Sequence, residues 1–272
     1  MLRTVCGFAL LACIWIDDAA ADGQVTYLAN EAALVEHADT KILFDALFDN
    51  GFDRYDLVPD QLLSKLYRGD PPFDGIDAMF VSHAHGDHFA ADRMLRYLSE
   101  QPDVKLYAPV QAVQQMRAQA DADSSVFSRV VGIAAEVGEP AESYAIDDIE
   151  IRVMRVPHSG WPNRMTDIEN LVFHVRLEGA TSVAHFGDAD PNPRHFAPHA
   201  DLWRELTTDL ALPPWWFFLS EGGHIILNEH VRPSESVGMH VPTDMPADEA
   251  ERPEEVRGYD LFTTPGEQRS IP

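Results

Sequence analysis

The chain has 272 residues, 45% apolar and 24% charged, with a formal net charge of −25. That length suits one large domain with a sizeable core. So acidic a surface argues against holding nucleic acid through cation contacts to phosphate, and against docking on anionic membranes.

In chain order, residues 1–21 read as an export signal. Arg3 precedes an apolar run, 5–16, and Ala19-Ala20-Ala21 offers the small residues that a signal peptidase needs. The run is short for a bilayer span, so no stable membrane insertion is expected after cleavage. The expected location is periplasmic or secreted. Leu10-Leu11-Ala12-Cys13 loosely resembles a lipobox, but apolar residues continue past Cys13 to Ile16. Cys6 and Cys13 are the chain's 2 cysteines, so a mature chain has no disulfide and no thiolate ligand.

Residues 24–28, 33–36 and 41–44 read as strands, with Asn30 and Asp39 in the turns. The acidic stretch 45–60 is irregular. Asp60 is placed to cap a helix reaching 66, which Asp70-Pro71-Pro72 breaks. A strand is expected at 76–81. Phe89, Met94, Leu95 and Leu98 then recur at helical spacing over 89–99. A strand at 105–108 and a helix at 110–120 continue an α/β alternation. Two extended segments flank Asp147-Asp148 within 141–156. Strands 171–177 and 182–186 pair around Glu178-Gly179-Ala180. Residues 194–206 are expected to be partly helical, 212–219 are strongly apolar, and 221–230 read as a helix stopped by Arg232-Pro233. A strong strand is expected at 236–241, a Pro-rich acidic surface excursion at about 243–257, and an edge strand at 259–264. No linker interrupts 22–272, which read as a single domain.

The chemistry concentrates in Val81-Ser82-His83-Ala84-His85-Gly86-Asp87-His88. Imidazole and carboxylate are ligands for zinc and its neighbours. His83 and His85, two apart at the end of a strand, point the same way. Gly86 permits a sharp turn that aims Asp87 and His88 at a second point. One loop thus offers two pairs of ligands. Three later strand ends each add one metal-capable side chain: His158 after 153–157, Asp188 after 182–186, and His240 after 236–239.

This pattern, His-x-His-x-Asp-His followed by a distant His, a Gly-Asp and a last His, resembles the metallo-β-lactamase superfamily. Weaker matches resemble the branch holding ascorbate-phosphate lactonases and the N-acyl-phosphatidylethanolamine phospholipase D group. They are Tyr27-Leu28-Ala29-Asn30, Ala33-Leu34-Val35-Glu36, Ile42-Leu43-Phe44-Asp45, Pro157-His158-Ser159-Gly160 and His185-Phe186-Gly187-Asp188. The resemblance implies a four-layer αββα sandwich with a dimetal site at the edge between the two sheets. It implies that His83, His85 and His158 hold one metal, that Asp87, His88 and His240 hold the second, and that Asp188 bridges them. Two zinc ions are implied, and iron or manganese also suits these ligands. The implied activity is hydrolysis of an ester, lactone or phosphodiester bond in a small substrate by a metal-bridging hydroxide. Asp87 is both a ligand and a candidate acid–base. The alternatives are an iron-binding redox protein of this fold and a metal-binding protein without turnover.

Around this set, His185 is a candidate support for the ligands, with an ordinary structural role as the alternative, and His195 and His199 read as surface residues. His37 and His174 read as structural or exposed, and Asp190 as solvated. Trp215, Trp216, Phe217 and Phe218 read as core, with a pocket wall as the alternative. Trp161 and Arg164, just past His158, are candidate pocket residues.

Overall fold

Residues 23–121 and 124–272 are described by a computed structural model of the chain. The export signal expected at 1–21, with both cysteines, lies outside them. In chain order the strands of the first half are β1 (Gly23–Ala29), β2 (Ala32–His37), β3 (Thr40–Phe44), β4 (Ala78–Phe80), β5 (Lys105–Pro109) and β6 (Val130–Ile133). Those of the second half are β7 (Glu142–Ile146), β8 (Ile149–Arg155), β9 (Leu171–Leu177), β10 (Thr181–His185), β11 (Leu210–Leu212) and β12 (Glu235–Ser236). A final strand, β13 (Gln268–Ile271), returns to the first half and pairs with β1. The sheets run β13-β1-β2-β3-β4-β5-β6 and β12-β11-β10-β9-β8-β7.

Both sheets are buried on two faces, and strand alternation sorts the side chains between layers. On β3, Leu43 faces outward while Ile42 and Phe44 face the second sheet; on β4, Met79 faces outward while Ala78 and Phe80 face inward. The inner residues meet Ile151 and Val153 of β8 and Phe173 and Val175 of β9. Outside the first sheet lie α1 (Asp60–Arg68), α2 (Ala91–Glu100) and α3 (Val110–Gln119), which bury Leu66, Met94, Leu98 and Met116 against it. Outside the second lie α4 (Ala200–Glu205) and α5 (Glu221–Ile225), with Trp203, Phe217 and Ile226 packed on Val172 and Ala184. Helix, sheet, sheet and helix give the αββα sandwich.

Several elements differ from the sequence expectation. Pro59, not Asp60, is the N-cap of α1, and Asp60 takes the first helical position, where its charge suits the helix dipole. The helix expected at 221–230 is one α-helical turn that widens into a π-helix at Ile226–Val231 and ends on Arg232 at φ 52°. The strand expected at 236–241 pairs only through Ser236. Beyond it the chain makes single bridges, Pro214 to Met239 and Gly238 to Leu261, and turns left-handed at His240, φ 58°. The edge strand expected at 259–264 is reduced to that one bridge, and β13 takes the edge instead.

His174, on β9, is structural. It is 2% exposed, its Nε2–H donates to the carbonyl of Thr207 at 2.9 Å, and its ring stands edge-on to Trp203. Burial pushes its pKa down to about 4. The fold therefore favours the neutral ring relative to an unfolded chain, where the pKa is about 6.5. This contribution is complete above about pH 6.5 and is lost as pH falls through that window toward 4. Stability should fall by up to about 1.4 kcal/mol per pH unit there. His174→Gln should flatten that slope in urea unfolding curves recorded across the window, and an unchanged slope would refute the assignment.

Candidate metal centre

The central strands β3, β4 and β5 are parallel, so their carboxyl ends open on one edge of the sandwich. At the end of β4, Val81 continues into the His-rich loop. The Val81 N–H donates to Tyr107, and the Leu171 N–H donates to Ser82, which ties the loop to both sheets. His83, His85, His158 and Asp188 bring one ligand-type atom each to within 4.8 Å of one another. Asp87, His88 and His240 do the same beside them. The structure thus gathers all seven expected residues, in the two expected groups. His83, Asp87, His88, His158, Asp188 and His240 are buried, and His85 is half-buried.

Three of the rings are held from behind. Ser82 Oγ lies 3.0 Å from His83 Nδ1, His88 Nδ1–H donates to Asp45 Oδ2 at 2.9 Å, and His158 Nδ1–H donates to the Ser159 carbonyl at 2.8 Å. These bonds leave Nε2 of all three rings facing inward, the second-nitrogen arrangement common behind metal-binding histidines. His85 instead turns Nδ1 inward, 3.0 Å from His83 Nε2.

Most of the other inward atoms converge without pairing. Asp188 Oδ2 is 3.1 Å from His158 Nε2, and Asp188 Oδ1 is 3.1 Å from His240 Nε2 and 3.4 Å from His88 Nε2. Asp87 Oδ2 is 3.3 Å from His240 Nε2. His88 Nε2, His158 Nε2, His240 Nε2 and Asp188 Oδ1 are nonetheless buried without an aligned hydrogen bond. Buried polar atoms are rarely left so. Five imidazoles and two carboxylates, four of them with an inward atom left orphaned, and no thiolate fit divalent cations held by nitrogen and oxygen.

The electrostatics agree. Burial lowers His83 well below the usual histidine range, and the nearby His88 adds to this. Burial also lowers His85. Burial opposes charge on His88 too, yet Asp188, Asp45 and Asp87 raise it well above that range. His240 is raised because Asp188 and Asp87 outweigh its burial. Burial opposes ionisation of Asp188, but His240 and His88 hold its carboxyl well below the usual range. The two carboxylates thus favour positive charge at the inward edge of His88 and His240.

Four supporting residues escaped the sequence reading. Buried Asp45 accepts from the Ser82 N–H at 2.7 Å, from Ser82 Oγ at 2.5 Å and from His88. Asn30 donates to the Asp87 carbonyl at 2.8 Å, and its own carbonyl accepts from the His240 N–H at 3.0 Å. Asn170 Oδ1 accepts from the Asp188 N–H, and Asn170 Nδ2 donates to the Phe186 carbonyl. Buried Glu31 lies 3.1 Å from His185 Nε2, so His185 is held beneath the centre and stacks on Phe44. Gly187 is required by shape. At φ 50° the chain passes Ser82 so closely that a Cβ there would lie 2.5 Å from the serine Cβ.

The remaining candidates divide. Phe217 and Phe218 are core, whereas the half-buried Trp216 ring stands 5.3 Å from His240. His195 and His199, expected on the surface, are 8% and 3% exposed. Half-buried Asp190 lies 3.6 Å from His195 Nε2. Trp161 is exposed and its ring meets that of His195 at 4.9 Å.

Comparison with known proteins follows the same line. Residues 40–232 match the Beta-lactamase superfamily domain. Protein Rv0786c of Mycobacterium tuberculosis is 27% identical over 225 residues, covering 80% of this chain and 83% of its own. A metallo hydrolase from the archaeon Ignicoccus hospitalis superposes with a TM-score of 0.59 at 16% identity, covering 92% and 98% of the two chains. CmlA, a diiron β-hydroxylase from Streptomyces venezuelae, gives 0.56 at 14% identity, covering 92% of this chain and 54% of its own. With the domain match running from β3 through the π-helix after α5, the chain belongs to the metallo-β-lactamase superfamily.

Proposed function

We propose that this chain is an exported, metal-dependent hydrolase acting on an ester, lactone or phosphodiester bond of a small substrate. One observation carries the reading: the inward atoms of seven buried or half-buried ligand-type side chains converge in two groups, and four of those atoms, His88 Nε2, His158 Nε2, His240 Nε2 and Asp188 Oδ1, are buried with no hydrogen-bond partner. His83, His85 and His158 would hold one cation, Asp87, His88 and His240 the other, and Asp188 both. Two divalent ions there would supply Lewis acidity toward a carbonyl or phosphoryl oxygen and a nucleophile at neutral pH.

The chain's own groups do the rest. Asp188 neutralises and spaces the two ligand groups. Asp87, whose Oδ2 faces His240, orients the attacking water and accepts its proton. Asp45 and Ser82 fix the rings of His88 and His83, so little reorganisation is needed. Zinc is the first choice for so many imidazoles. The same nitrogen and oxygen set, without sulfur, also suits iron, which supports a second, redox reading.

The test is metal content by mass spectrometry on purified protein, with a panel of small esters, lactones and phosphodiesters. About two zinc per chain and turnover lost on chelation are expected. Iron with a coloured protein would favour the redox reading. Metal without turnover on any substrate of the panel would overturn the hydrolase reading.

A further inference from the structure

Two loops reach the centre, one at each ligand group. The first, between β3 and α1, is fastened to the metal loop by the Asn50 N–H donating to the Gly86 carbonyl. Its Phe52 ring comes within 3.8 Å of where a Cβ on Gly86 would lie. Its Tyr55 ring stands edge-on to His240 at 4.1 Å, and the Thr243 N–H donates to the Arg54 carbonyl. The second loop, between β8 and β9, turns directly after His158. The Trp161 N–H donates to the His158 carbonyl, and the Arg164 N–H to that of Gly160.

Both loops expose what a folded surface normally hides. Among the exposed large apolar residues, Phe52 at 56%, Leu57 at 43%, Trp161 at 40% and Met165 at 42% all lie on these two loops. Phe52 and Met165 are also held at φ 51° and 56°, a conformation that bulky side chains rarely adopt. Each loop carries an arginine as well. In a chain with an excess of carboxylates, most arginines elsewhere are engaged by a carboxylate or a carbonyl, as Arg68 is with Asp70, Arg96 with Glu100, Arg269 with Asp260 and Arg93 with the Phe48 carbonyl. The guanidinium groups of Arg54 and Arg164 have no ion pair or hydrogen bond among the described residues, although Asp53 and Asp56 flank Arg54. Arg54 rests only near the Tyr55 ring, at 5.5 Å, and Arg164 lies over Gly160.

We propose that these loops form the substrate-selecting mouth of the site. The substrate has an apolar acyl or ring body, which lies against Phe52 and Trp161. It also bears a carboxylate or phosphate, separate from the bond that is cleaved, which Arg54 and Arg164 meet. The strongly acidic surface disfavours a bilayer as the occupant of the same patches. A free anion drawn from solution toward two unpaired arginines is consistent with that surface, because the arginines and a loaded metal centre would be local positive spots at this edge. The inference rests on the hydrolase reading for the word substrate, but binding tests it independently of turnover.

The experiment is calorimetric titration of the metal-loaded protein with 4-phenylbutyrate, its neutral amide, and butyrate. The ring-bearing anion should bind about tenfold more tightly than either of the others. In Arg54→Gln/Arg164→Gln its advantage over the amide should vanish, while Arg54→Lys/Arg164→Lys should retain part of it. Trp161→Ala should weaken both ring-bearing ligands and leave butyrate unchanged. Equal binding of acid and amide, or no binding of either, would overturn the proposal. So would an acid preference that survives Arg54→Gln/Arg164→Gln, because the anion would then sit on the metals alone. Loss of hydrolysis with this binding pattern intact would count against the hydrolase reading and not against the mouth.

Discussion

Asp188→Ala is expected to lower both bound metal and turnover by more than about 100-fold, beyond the range seen for residues that merely support ligands. Among the described residues, Asp188 is the one side chain whose two oxygens face both ligand groups, Oδ2 toward His158 and Oδ1 toward His88 and His240. Its removal leaves imidazoles crowded without the negative charge that offsets a pair of dications. The alanine chain should still fold, because Gly187, Asn170 and the backbone bond from the Asp188 N–H to Asn170 are retained. Mass spectrometry after dialysis, with turnover on the best substrate of the panel, gives the answer. Normal metal content with normal turnover would remove Asp188 from the centre.

Asp45→Ala should come second, with metal affinity down by about 10- to 100-fold. Asp45 accepts three hydrogen bonds in a buried position, two from Ser82 and one from His88. Removing it frees the His88 ring to rotate and leaves the Ser82 N–H unpaired. A buried donor left unmet costs about 1–3 kcal/mol, and thermal unfolding should register the loss. Asp45→Asn keeps the shape and part of the bonding, so it should recover stability more than metal affinity. A variant that binds metal normally but unfolds early would make Asp45 a packing residue only.

The seven candidate ligands were legible because their chemistry is rare and local. Three histidines and an aspartate follow a buried strand within six positions, and each later member ends an apolar run. The supports were not legible. Asp45 is one carboxylate in an acidic stretch, and nothing in its neighbours shows that Ser82 will arrive beside it. Asn30 looks like an ordinary turn residue until folding brings Asp87 and His240 to its two sides. The long strands β1 to β3 and β8 to β10 were legible from their apolar runs. The region after β12 was not, because its extended sequence leaves the sheet where Gly238 runs against Leu261, whose side chain would lie 2.4 Å from a Cβ there. His195 and His199 were misplaced because short 3₁₀ turns buried them without helical periodicity.

The origin of the ligands has a further consequence. His83, His85, Asp87 and His88 extend from the first sheet, while His158, Asp188 and His240 extend from the second. Neither half of the chain can assemble the centre by itself. Metal loading is then a latch across the two halves, fastened only when they have docked, and it reports on folding as well as on chemistry. Cation bound to the closed form alone draws the population toward it by mass action, by about 2.7 kcal/mol at a hundredfold excess over the dissociation constant. On the proposed export, such a latch would close in the receiving compartment, whose metal supply would decide how firmly.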